Sequence, residues 1–164
     1  MARRADEIES IVRELVGSNA NPLEPSADQL RALLAVEAEG PFQFLNLLAY
    51  HDLARYPNGH PLAGAGSTGA AAYGLYGGVA IRHVTARGGR FMLFNHVVAQ
   101  VIGAPVVWHQ IAIMQYPSVD AFLDMVRDPD YRAALVHRDA GLARTEVFAT
   151  RPLLPGADSV PGRP

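Results

Sequence analysis

Apolar residues near the start of the chain recur at the i, i+3, i+4, i+7, i+8 spacing of an amphipathic helix. They are Ile8, Ile11, Val12, Leu15 and Val16. The run that begins at Gly17 ends this pattern, and a second helix is predicted to begin at Ser26, which forms a capping box with Gln29. We expect the two helices to form an extension over residues 1–40, ahead of the main domain.

Residues 41–152 alternate between strand and helix patterns. Strands are predicted over 42–48, 90–101, 106–116 and 144–150, and helices over 68–86 and 118–137, the second of which is interrupted at Asp128-Pro129. Ser118 is the expected N-cap of that helix. The order strand, helix, strand, strand, helix, strand is the ferredoxin-like arrangement, so we predict an α+β fold of this type.

Two segments fall outside this pattern. The stretch over 51–68 is rich in Gly, Pro, His and Asn, which indicates either a functional loop or a disordered one. The tail after Arg151 holds four prolines, and residues 153–164 are predicted to be disordered.

Both faces of the predicted strands are largely apolar. In the second strand Phe91, Leu93 and Val97 alternate with Met92, Phe94 and Val98. Two helices can cover only one face of a four-stranded sheet, and a soluble protein rarely leaves so large an apolar face in water. We therefore expect the sheet to pack against a second copy of itself, which gives a homodimer.

The composition excludes several kinds of chemistry. Among 164 residues there is no cysteine and no lysine, because all fourteen basic residues are arginine. Thiol nucleophiles, thiolate metal sites and Schiff bases are therefore excluded. A net charge of −2 gives no electrostatic reason to expect nucleic acid or an anionic membrane as a partner. No apolar run approaches the roughly 20 residues that cross a bilayer, and early acidic residues interrupt any signal peptide, so we expect a cytoplasmic protein.

The predicted helix over 68–86 places a histidine and two tyrosines on one side. Because successive residues step by about 100°, Tyr73, Tyr76 and His83 fall in one arc that faces the sheet. One interpretation is packing, in which each ring reaches a polar partner with its tip. The other is a pocket wall, in which His83 acts as acid or base and a tyrosine hydroxyl orients a substrate.

The strands carry further polar candidates. Strict alternation puts Arg90 and His96 on one face of the second strand and Asn95 on the other. Arg90 could clamp a carboxylate or an enolate, or it could pair with an acid of the second copy. His96 could move a proton or be a core histidine. Asn46 lies in an apolar strand, so its amide needs hydrogen bonds from neighbours or from a ligand.

The remaining candidates come from the third strand and the late helix. Trp108 and His109 are expected to point to opposite faces, so at most one of them lines a given cavity. Tyr131 and Arg138 lie seven residues apart and share a helix face, where packing explains them as well as a binding site does.

Five segments share their order and spacing with a known family. They are Phe44-Leu-Asn-Leu-Leu, Ala72-Tyr-Gly-Leu-Tyr, Gly88-Gly-Arg-Phe, the stretch from Trp108 to Ser118, and Asp128-Pro-Asp-Tyr-Arg-Ala with Arg138. Over residues 26–152 the chain resembles the family called domain of unknown function 1330, within the dimeric α+β barrel superfamily. The resemblance implies a ferredoxin-like protomer whose sheet faces its twin across a barrel, with a pocket between sheet and loops. Longer members are expected to have an acidic residue where this chain has His109, so an acid role is not carried over.

Two hypotheses of function follow. The first is a small-molecule enzyme that uses no organic cofactor and no metal and acts on an aromatic or polyketide-like substrate by cyclisation, isomerisation or oxygenation. Its acid–base groups would be His96, His109, His83 and Arg90, and its substrate contacts would be Asn46, Tyr73, Tyr76, Asn95, Trp108, Tyr131 and Arg138. The second is a noncatalytic ligand-binding or structural homodimer, in which these polar groups satisfy one another.

Two further interpretations involve a metal. A haem enzyme with a histidine on iron is a third possibility. His51 and His60 with Asp52 match no recognised metal-ligand spacing, so we expect no metal there. The positions of Arg90, His96 and His109 distinguish the two main hypotheses. If these three side chains converge on a hollow, the enzyme is favoured.

Overall fold

The structure is a computed structural model that describes residues 3–16, 21–36 and 40–152. Its N-terminal part holds α1 (Ala5–Leu15) and α2 (Ala27–Ala35). The predicted capping box is confirmed, since the Ser26 hydroxyl accepts from the Gln29 backbone N–H and the Gln29 amide oxygen accepts from the Ser26 backbone N–H. The predicted disorder of residues 153–164 lies outside the described residues.

The main part is a mixed α+β unit with one sheet. Its strands are β1 (Phe42–Tyr50), β2 (Arg90–His96), β3 (Gln110–Tyr116) and β4 (Leu142–Thr150), and its helices are α3 (Gly69–Ala86), α4 (Val119–Arg127) and α5 (Pro129–Gly141). The strands lie in the order β2-β3-β1-β4, and all neighbours are antiparallel. Every predicted strand and helix of residues 41–152 is present, and the predicted N-cap at Ser118 is confirmed, since its side chain accepts from the Ala121 N–H.

The hairpin between β2 and β3 is shorter in regular structure than predicted. The strands end at His96 and begin again at Gln110, so residues 97–109 form a long connection. Within it the Gln100 side chain donates to the carbonyls of Ile102 and Ala104 and accepts from the Val106 N–H. The apolar pattern predicted strand-to-strand hydrogen bonds in this part of the hairpin. The Gln100 side chain instead bonds to the backbone of residues 102–106 and holds a turn there.

The helices and the N-terminal extension cover the same face of the sheet. On this face Phe42 and Phe44 of β1 meet Tyr116 of β3 and Phe122 of α4 in a cluster of rings, with centroids 4.9 to 5.6 Å apart. The same core contains apolar residues of α1 and α2, namely Ile11, Val12, Leu30 and Leu34. The extension therefore belongs to the helix layer.

Helices α3 and α5 approach each other through glycine. A Cβ added to Gly69 would lie 2.5 Å from the Gly141 carbonyl oxygen, and one added to Gly141 would lie 2.5 Å from the Gly69 carbonyl oxygen. Only glycine allows backbones this close. The approach fixes the start of α3 against the end of α5 and so sets the spacing of the side chains between them.

The other face of the sheet is apolar at its centre, and none of the described helices lies over it. In the register of the strands, Leu45 pairs with Ile113 and Leu47 pairs with Ile111. Leu93 of β2 and Phe148 of β4 extend the patch, which we call the open face: Leu45, Leu47, Leu93, Ile111, Ile113 and Phe148. Its central side chains are half-buried, and Phe148 is 49% exposed.

A β-bulge in β2 overturns one prediction. Phe91 pairs with Met114 and Leu93 pairs with Ile113, so the register shifts around Met92. Because of this shift, Arg90 shares the open face with Asn95, while His96 points to the helix side. The expectation that Arg90 and His96 share a face, with Asn95 opposite, is wrong, because strict alternation does not survive an inserted residue.

The segment over 51–68 is folded onto the helices. Ala54 N–H donates to the Ser67 carbonyl, and Arg55 N–H donates to the Ala140 carbonyl at the end of α5. Tyr56 is 9% exposed and packs with residues of α3 and α5. Of the two alternatives for this segment, the structure supports an ordered loop.

Candidate functional site

Four of the predicted binding residues come together between α3 and α5. The hydroxyls of Tyr76 and Tyr131 are hydrogen-bonded at 2.8 Å, and the rings of Tyr73 and Tyr76 lie 5.3 Å apart. Arg138, two turns after Tyr131 on α5, places its charge close enough to affect the pKa of all three tyrosines. We call these residues, Tyr73, Tyr76, Tyr131 and Arg138, the tyrosine–arginine cluster.

The tyrosines of this cluster are neutral hydrogen-bonding groups. Burial raises the pKa of Tyr73 and of Tyr131 well above the ordinary value, and it also raises the pKa of Tyr76. The Arg138 charge opposes these increases but does not cancel them. None of the three hydroxyls is therefore ionised near neutral pH, so they can orient a ligand but cannot serve as a base.

Arg138 is the charged member of the cluster and is only partly satisfied. Its Nε donates to Asp139 Oδ1 at 2.8 Å. Its Nη2 is buried and lies 2.8 Å from the same oxygen, but it forms no well-directed hydrogen bond with any described residue. Burial lowers the pKa of Arg138, yet Asp139 and the neighbouring tyrosines raise it by more, so the guanidinium keeps its charge.

Two polar atoms of the cluster thus have donor capacity to spare. One is Arg138 Nη2. The other is the hydroxyl of Tyr73, whose ring packs between those of Tyr50 and Tyr76 but whose oxygen forms no hydrogen bond with the rest of the described chain. Since buried polar groups are nearly always paired, the buried and unpaired Arg138 Nη2 marks a place where a ligand gains a hydrogen bond, and the Tyr73 hydroxyl is available as a second donor.

Asn46 lies on the helix side of β1 and is held by the sheet. Its Nδ2 donates to the carbonyls of Phe44 at 3.0 Å and Ala112 at 3.3 Å. The side chain is 8% exposed. Of the two interpretations of this residue, hydrogen bonding by neighbours accounts for both donors of its amide.

His83 lies in a network of charges at the end of α3, and its ring contacts the Tyr131 ring edge-on, with centroids 6.0 Å apart. Its Nε2 is 3.0 Å from Asp130 Oδ2, and its Nδ1 is 3.0 Å from a guanidinium nitrogen of Arg87. Arg87 also donates to Asp124 at 2.6 Å and to Asp128 at 3.0 Å. The network joins the end of α3 to the ends of α4 and α5, where Asp128 is the N-cap of α5. Both ring nitrogens of His83 are therefore engaged in holding helices together.

Trp108 and His109 precede β3 and contact different partners. The guanidinium of Arg144 stacks on the Trp108 ring at 4.2 Å and donates to the Val107 carbonyl. His109 Nδ1 accepts from the Tyr50 backbone N–H at 3.0 Å, and its ring stacks on the Tyr50 ring. With Nδ1 occupied in this way, a neutral His109 carries its proton on Nε2 and has no free lone pair to act as a base.

His96 lies at the helix-side edge of the sheet, near two residues that the sequence did not single out. Gln110 Nε2 is 3.5 Å from His96 Nδ1, and Gln110 Oε1 accepts from the Tyr50 hydroxyl. The ring of Tyr50 lies 5.4 Å from that of Tyr73, so this chain leads from the tyrosine–arginine cluster to the edge. The sequence analysis did not identify Gln110 as the residue between Tyr50 and His96. Its position follows from the pairing of β3 with β1, in which Gln110 lies opposite Leu48.

Arg90, His96 and His109 do not converge on one hollow. Arg90 is on the open face, His96 is on the helix side of an edge strand, and His109 is bonded to the backbone of β1. The two hollows that stand out lie elsewhere. One, of about 160 Å³, lies between α2 and the start of β1 and is lined mainly by apolar residues; the other, of about 240 Å³, is a shallow depression beside His83 and Arg87.

Sequence reasoning also missed a cluster around Tyr56. The Tyr56 hydroxyl is 2.8 Å from His137 Nδ1, and the His60 ring stacks on the Tyr56 ring at 4.5 Å. The histidines and aromatic residue of the 51–68 loop were the signal, but their partner on α5 is about eighty positions away.

Within residues 3–16, 21–36 and 40–152, no group of three or more acidic or histidine side chains could hold a metal ion. In the same residues, no helix is long and apolar enough to cross a membrane.

Comparison with known proteins places the chain in a family. The crystal structure of the RPA0582 protein of unknown function from Rhodopseudomonas palustris is similar, with 31% identity, a TM-score of 0.71, and coverage of 83% of this chain and 100% of that one. A structure of methylated RPA0582 protein is 34% identical, with a TM-score of 0.71 and coverage of 82% of this chain and 96% of that one. No protein of curated function matches the chain. The family described as Domain of unknown function (DUF1330) matches residues 62–150, more than half of the sequence. The predicted resemblance is thus confirmed, and the chain belongs to the DUF1330 family.

Proposed function

We propose that this protein is a homodimer of ferredoxin-like protomers that binds a small organic molecule at the tyrosine–arginine cluster. The strand order β2-β3-β1-β4, with the helices on one face, supports the ferredoxin-like assignment. The open face supports the dimer, because its six apolar side chains are covered by none of the helices in the described part of the protomer. Two such faces packed together would form the α+β barrel implied by the family resemblance.

The observation that carries the binding function is the spare donor capacity between α3 and α5. Arg138 Nη2 is buried without a hydrogen-bond partner among the described residues. The Tyr73 ring lies between those of Tyr50 and Tyr76, and its hydroxyl makes no hydrogen bond to the described chain. Aromatic walls with a few convergent polar groups are typical of small-molecule sites. A ligand that accepts hydrogen bonds from both groups would gain two bonds that the free protein does not form.

The positions of the histidines make binding a better-supported function than acid–base catalysis. His83 is engaged with Asp130 and Arg87, and His109 Nδ1 is engaged with the backbone of Tyr50. A general base must lie within hydrogen-bond reach of the proton that it removes. Both nitrogens of His83 and Nδ1 of His109 are already engaged, so neither histidine has a free lone pair for this role.

A screen of metabolites by thermal shift, followed by calorimetry, tests the binding function. We expect ligands whose affinity falls by roughly tenfold in Tyr73→Phe, the effect of losing one hydrogen bond of about 1.4 kcal/mol. Tyr56→Phe is the matched control, because it removes a hydroxyl from the loop cluster and should leave the affinity unchanged. Binding that is equal in wild type and Tyr73→Phe, or no binding by any class of metabolite, would contradict the proposal.

A second candidate is the enzyme, in which His96 serves as the acid–base group. The chain from Tyr50 through Gln110 to His96 favours it, because it links the cluster to a histidine at the accessible edge of the sheet. The test is to follow any ligand found in the screen by mass spectrometry with wild type and with His96→Gln. Conversion by wild type that is lost in His96→Gln would favour the enzyme, and a ligand recovered unchanged from both would favour binding alone.

A further inference from the structure

A short segment of the N-terminal extension lies over the tyrosine–arginine cluster. Leu23 packs against the small apolar group Leu48, Ala112 and Leu142, which Tyr50 and Tyr73 also contact. The next residue, Glu24, places Oε1 3.6 Å from Arg138 Nη2. One apolar side chain and one carboxylate, on consecutive residues, thus lie where the cluster has its spare capacity. We call Leu23 and Glu24 the plug.

The plug is shaped locally and is only lightly attached to the cluster. Asn21 Oδ1 accepts from the Leu23 N–H, and the Asn21 carbonyl accepts from the Glu24 N–H, both at 3.0 Å. Asn21 Nδ2 donates to Asp139 at 3.0 Å. By contrast, Glu24 and Arg138 are too far apart for a hydrogen bond, and the Glu24 side chain is 38% exposed. The plug therefore pairs with Arg138 electrostatically without satisfying its donor.

The helices on either side of the plug have their own attachments. The Glu14 carboxylate of α1 forms a two-point ion pair with Arg127 of α4, with both distances 2.7 Å. In α2, Leu30 and Leu34 are buried in the core at 2% and 0% exposure. Displacement of Leu23 and Glu24 would therefore leave both helices in place, because neither depends on the plug for its packing.

We infer that the site at Arg138 binds a compact apolar carboxylic acid, and that Leu23 and Glu24 occupy it in the free protein as an internal stand-in for that ligand. This inference rests on the proposed function and names the ligand class of the same site. The apolar part of the ligand takes the place of Leu23 on Leu48, Ala112 and Leu142. The carboxylate takes the place of Glu24, approaches Arg138 to hydrogen-bond distance and accepts from the Tyr73 hydroxyl.

The geometry limits the size of the ligand. Leu23 and Glu24 are consecutive residues with Cα atoms about 3.8 Å apart, so a compact molecule that carries both an apolar group and a carboxylate is the simplest replacement for their two side chains. Small aryl or branched-chain acids such as phenylacetate and isocaproate meet this condition. Arginine recognises a carboxylate through parallel N–H donors, so an amide of the same shape is a poor substitute.

Calorimetric titration of three proteins with phenylacetate and with phenylacetamide tests the inference. Glu24→Gln keeps the size of the plug but removes its charge, and Asp28→Asn is the control because it removes a carboxylate from the exposed side of the same extension. If the plug is displaced from the site in about one tenth of the free protein molecules, weakening its contact with Arg138 raises the apparent affinity for phenylacetate by up to roughly tenfold. We expect this gain in Glu24→Gln and not in Asp28→Asn, with phenylacetamide weaker in all three proteins.

Two outcomes would overturn the inference. One is a phenylacetate affinity in Glu24→Gln no higher than in Asp28→Asn, and the other is equal binding of the acid and the amide. Either result, together with a neutral metabolite whose binding depends on Tyr73, would reject the acid but retain the proposed function. If no compound of any class binds, both the inference and the proposed function fail.

Discussion

Both faces of the sheet carry apolar residues, but only one face is covered by the described helices. On the helix side, Phe42, Phe44 and Tyr116 are less than 10% exposed and pack ring against ring with α4. On the open face, Leu47 and Ile113 are only half-buried, and Phe148 is half-exposed. The difference arises from the connections, since every described helix lies on the first face.

One face of the sheet is packed by the protomer itself, and the other face is left uncovered by its described helices. On the helix side, the buried polar side-chain atoms of the described residues are hydrogen-bonded, with the exception of Arg138 Nη2. The open face is edged by polar residues such as Arg90, Asn95 and Gln115, and its centre is aliphatic. We interpret the first face as core and ligand site, and the second as the contact with a second copy.

The strongest test of the contrast is a cavity on the covered face. Leu123 of α4 is 1% exposed, so Leu123→Ala removes buried methyl groups that have nothing to replace them. We expect a loss of about 2–5 kcal/mol in the free energy of unfolding, measured by urea denaturation. The loss should be the same at all protein concentrations, because the cavity lies inside one protomer. A concentration-dependent loss would mean that the covered face also takes part in association.

A charge on the open face should give the next largest effect, and of a different kind. Ile113→Glu places a carboxylate at the centre of the patch, where each copy would lose about 1.5–3 kcal/mol of apolar burial in the dimer. We expect dissociation to monomers that remain folded by circular dichroism. Gln115→Glu, on the same face but toward its edge, is the matched control and should stay associated. An Ile113→Glu protein that keeps the wild-type mass would refute the assignment of this face.

The helix cap at Ser26 tests whether the N-terminal extension belongs to the covered layer. Ser26→Ala removes the hydroxyl that accepts from Gln29 N–H, at an expected cost of about 1 kcal/mol. If α2 unfolds together with the core, thermal denaturation will show one transition shifted to lower temperature. A separate low-temperature transition would instead mean that the extension is an independent unit.

The smallest expected effect is a pH dependence of the loop on the covered side. Burial, and then the neighbouring His60, lower the pKa of His137, and burial also lowers the pKa of His51. The unfolded chain, with a histidine pKa of about 6.5, therefore binds more protons than the folded one. Stability is complete above that pH and declines as the pH falls below it. His137→Gln should lessen this decline in melting temperature between pH 7 and pH 5, whereas an identical decline would exclude His137 as its cause.

The sequence predicted the elements more completely than the positions of the site residues. The helices and strands followed from period and caps, because Ser26 and Ser118 each have a local partner within three residues. The grouping of Tyr73, Tyr76 and His83 on one side of α3 was also local. The bulge at Met92 could not be predicted, because it depends on how β2 meets β3 rather than on β2 alone.

The candidate site was predictable only in part for the same reason. Tyr131 and Arg138 were placed on one helix face, and that placement agrees with the structure. The contact of Tyr131 with Tyr76 depends on the close approach of α3 and α5 at Gly69 and Gly141, which are far apart in the chain. The plug at Leu23 and Glu24 is likewise a long-range contact. Contacts of this kind follow from the fold, and a periodic pattern does not contain them.

Sedimentation velocity of the wild-type protein over about 1–100 μM tests the central claim most directly, because such a range covers dimers of ordinary affinity. If the open face is a dimer contact, a species of twice the chain mass of 17.6 kDa is expected throughout most of that range. A single species of 17.6 kDa at every concentration would contradict the account, since the aliphatic patch would then stand in water without a partner.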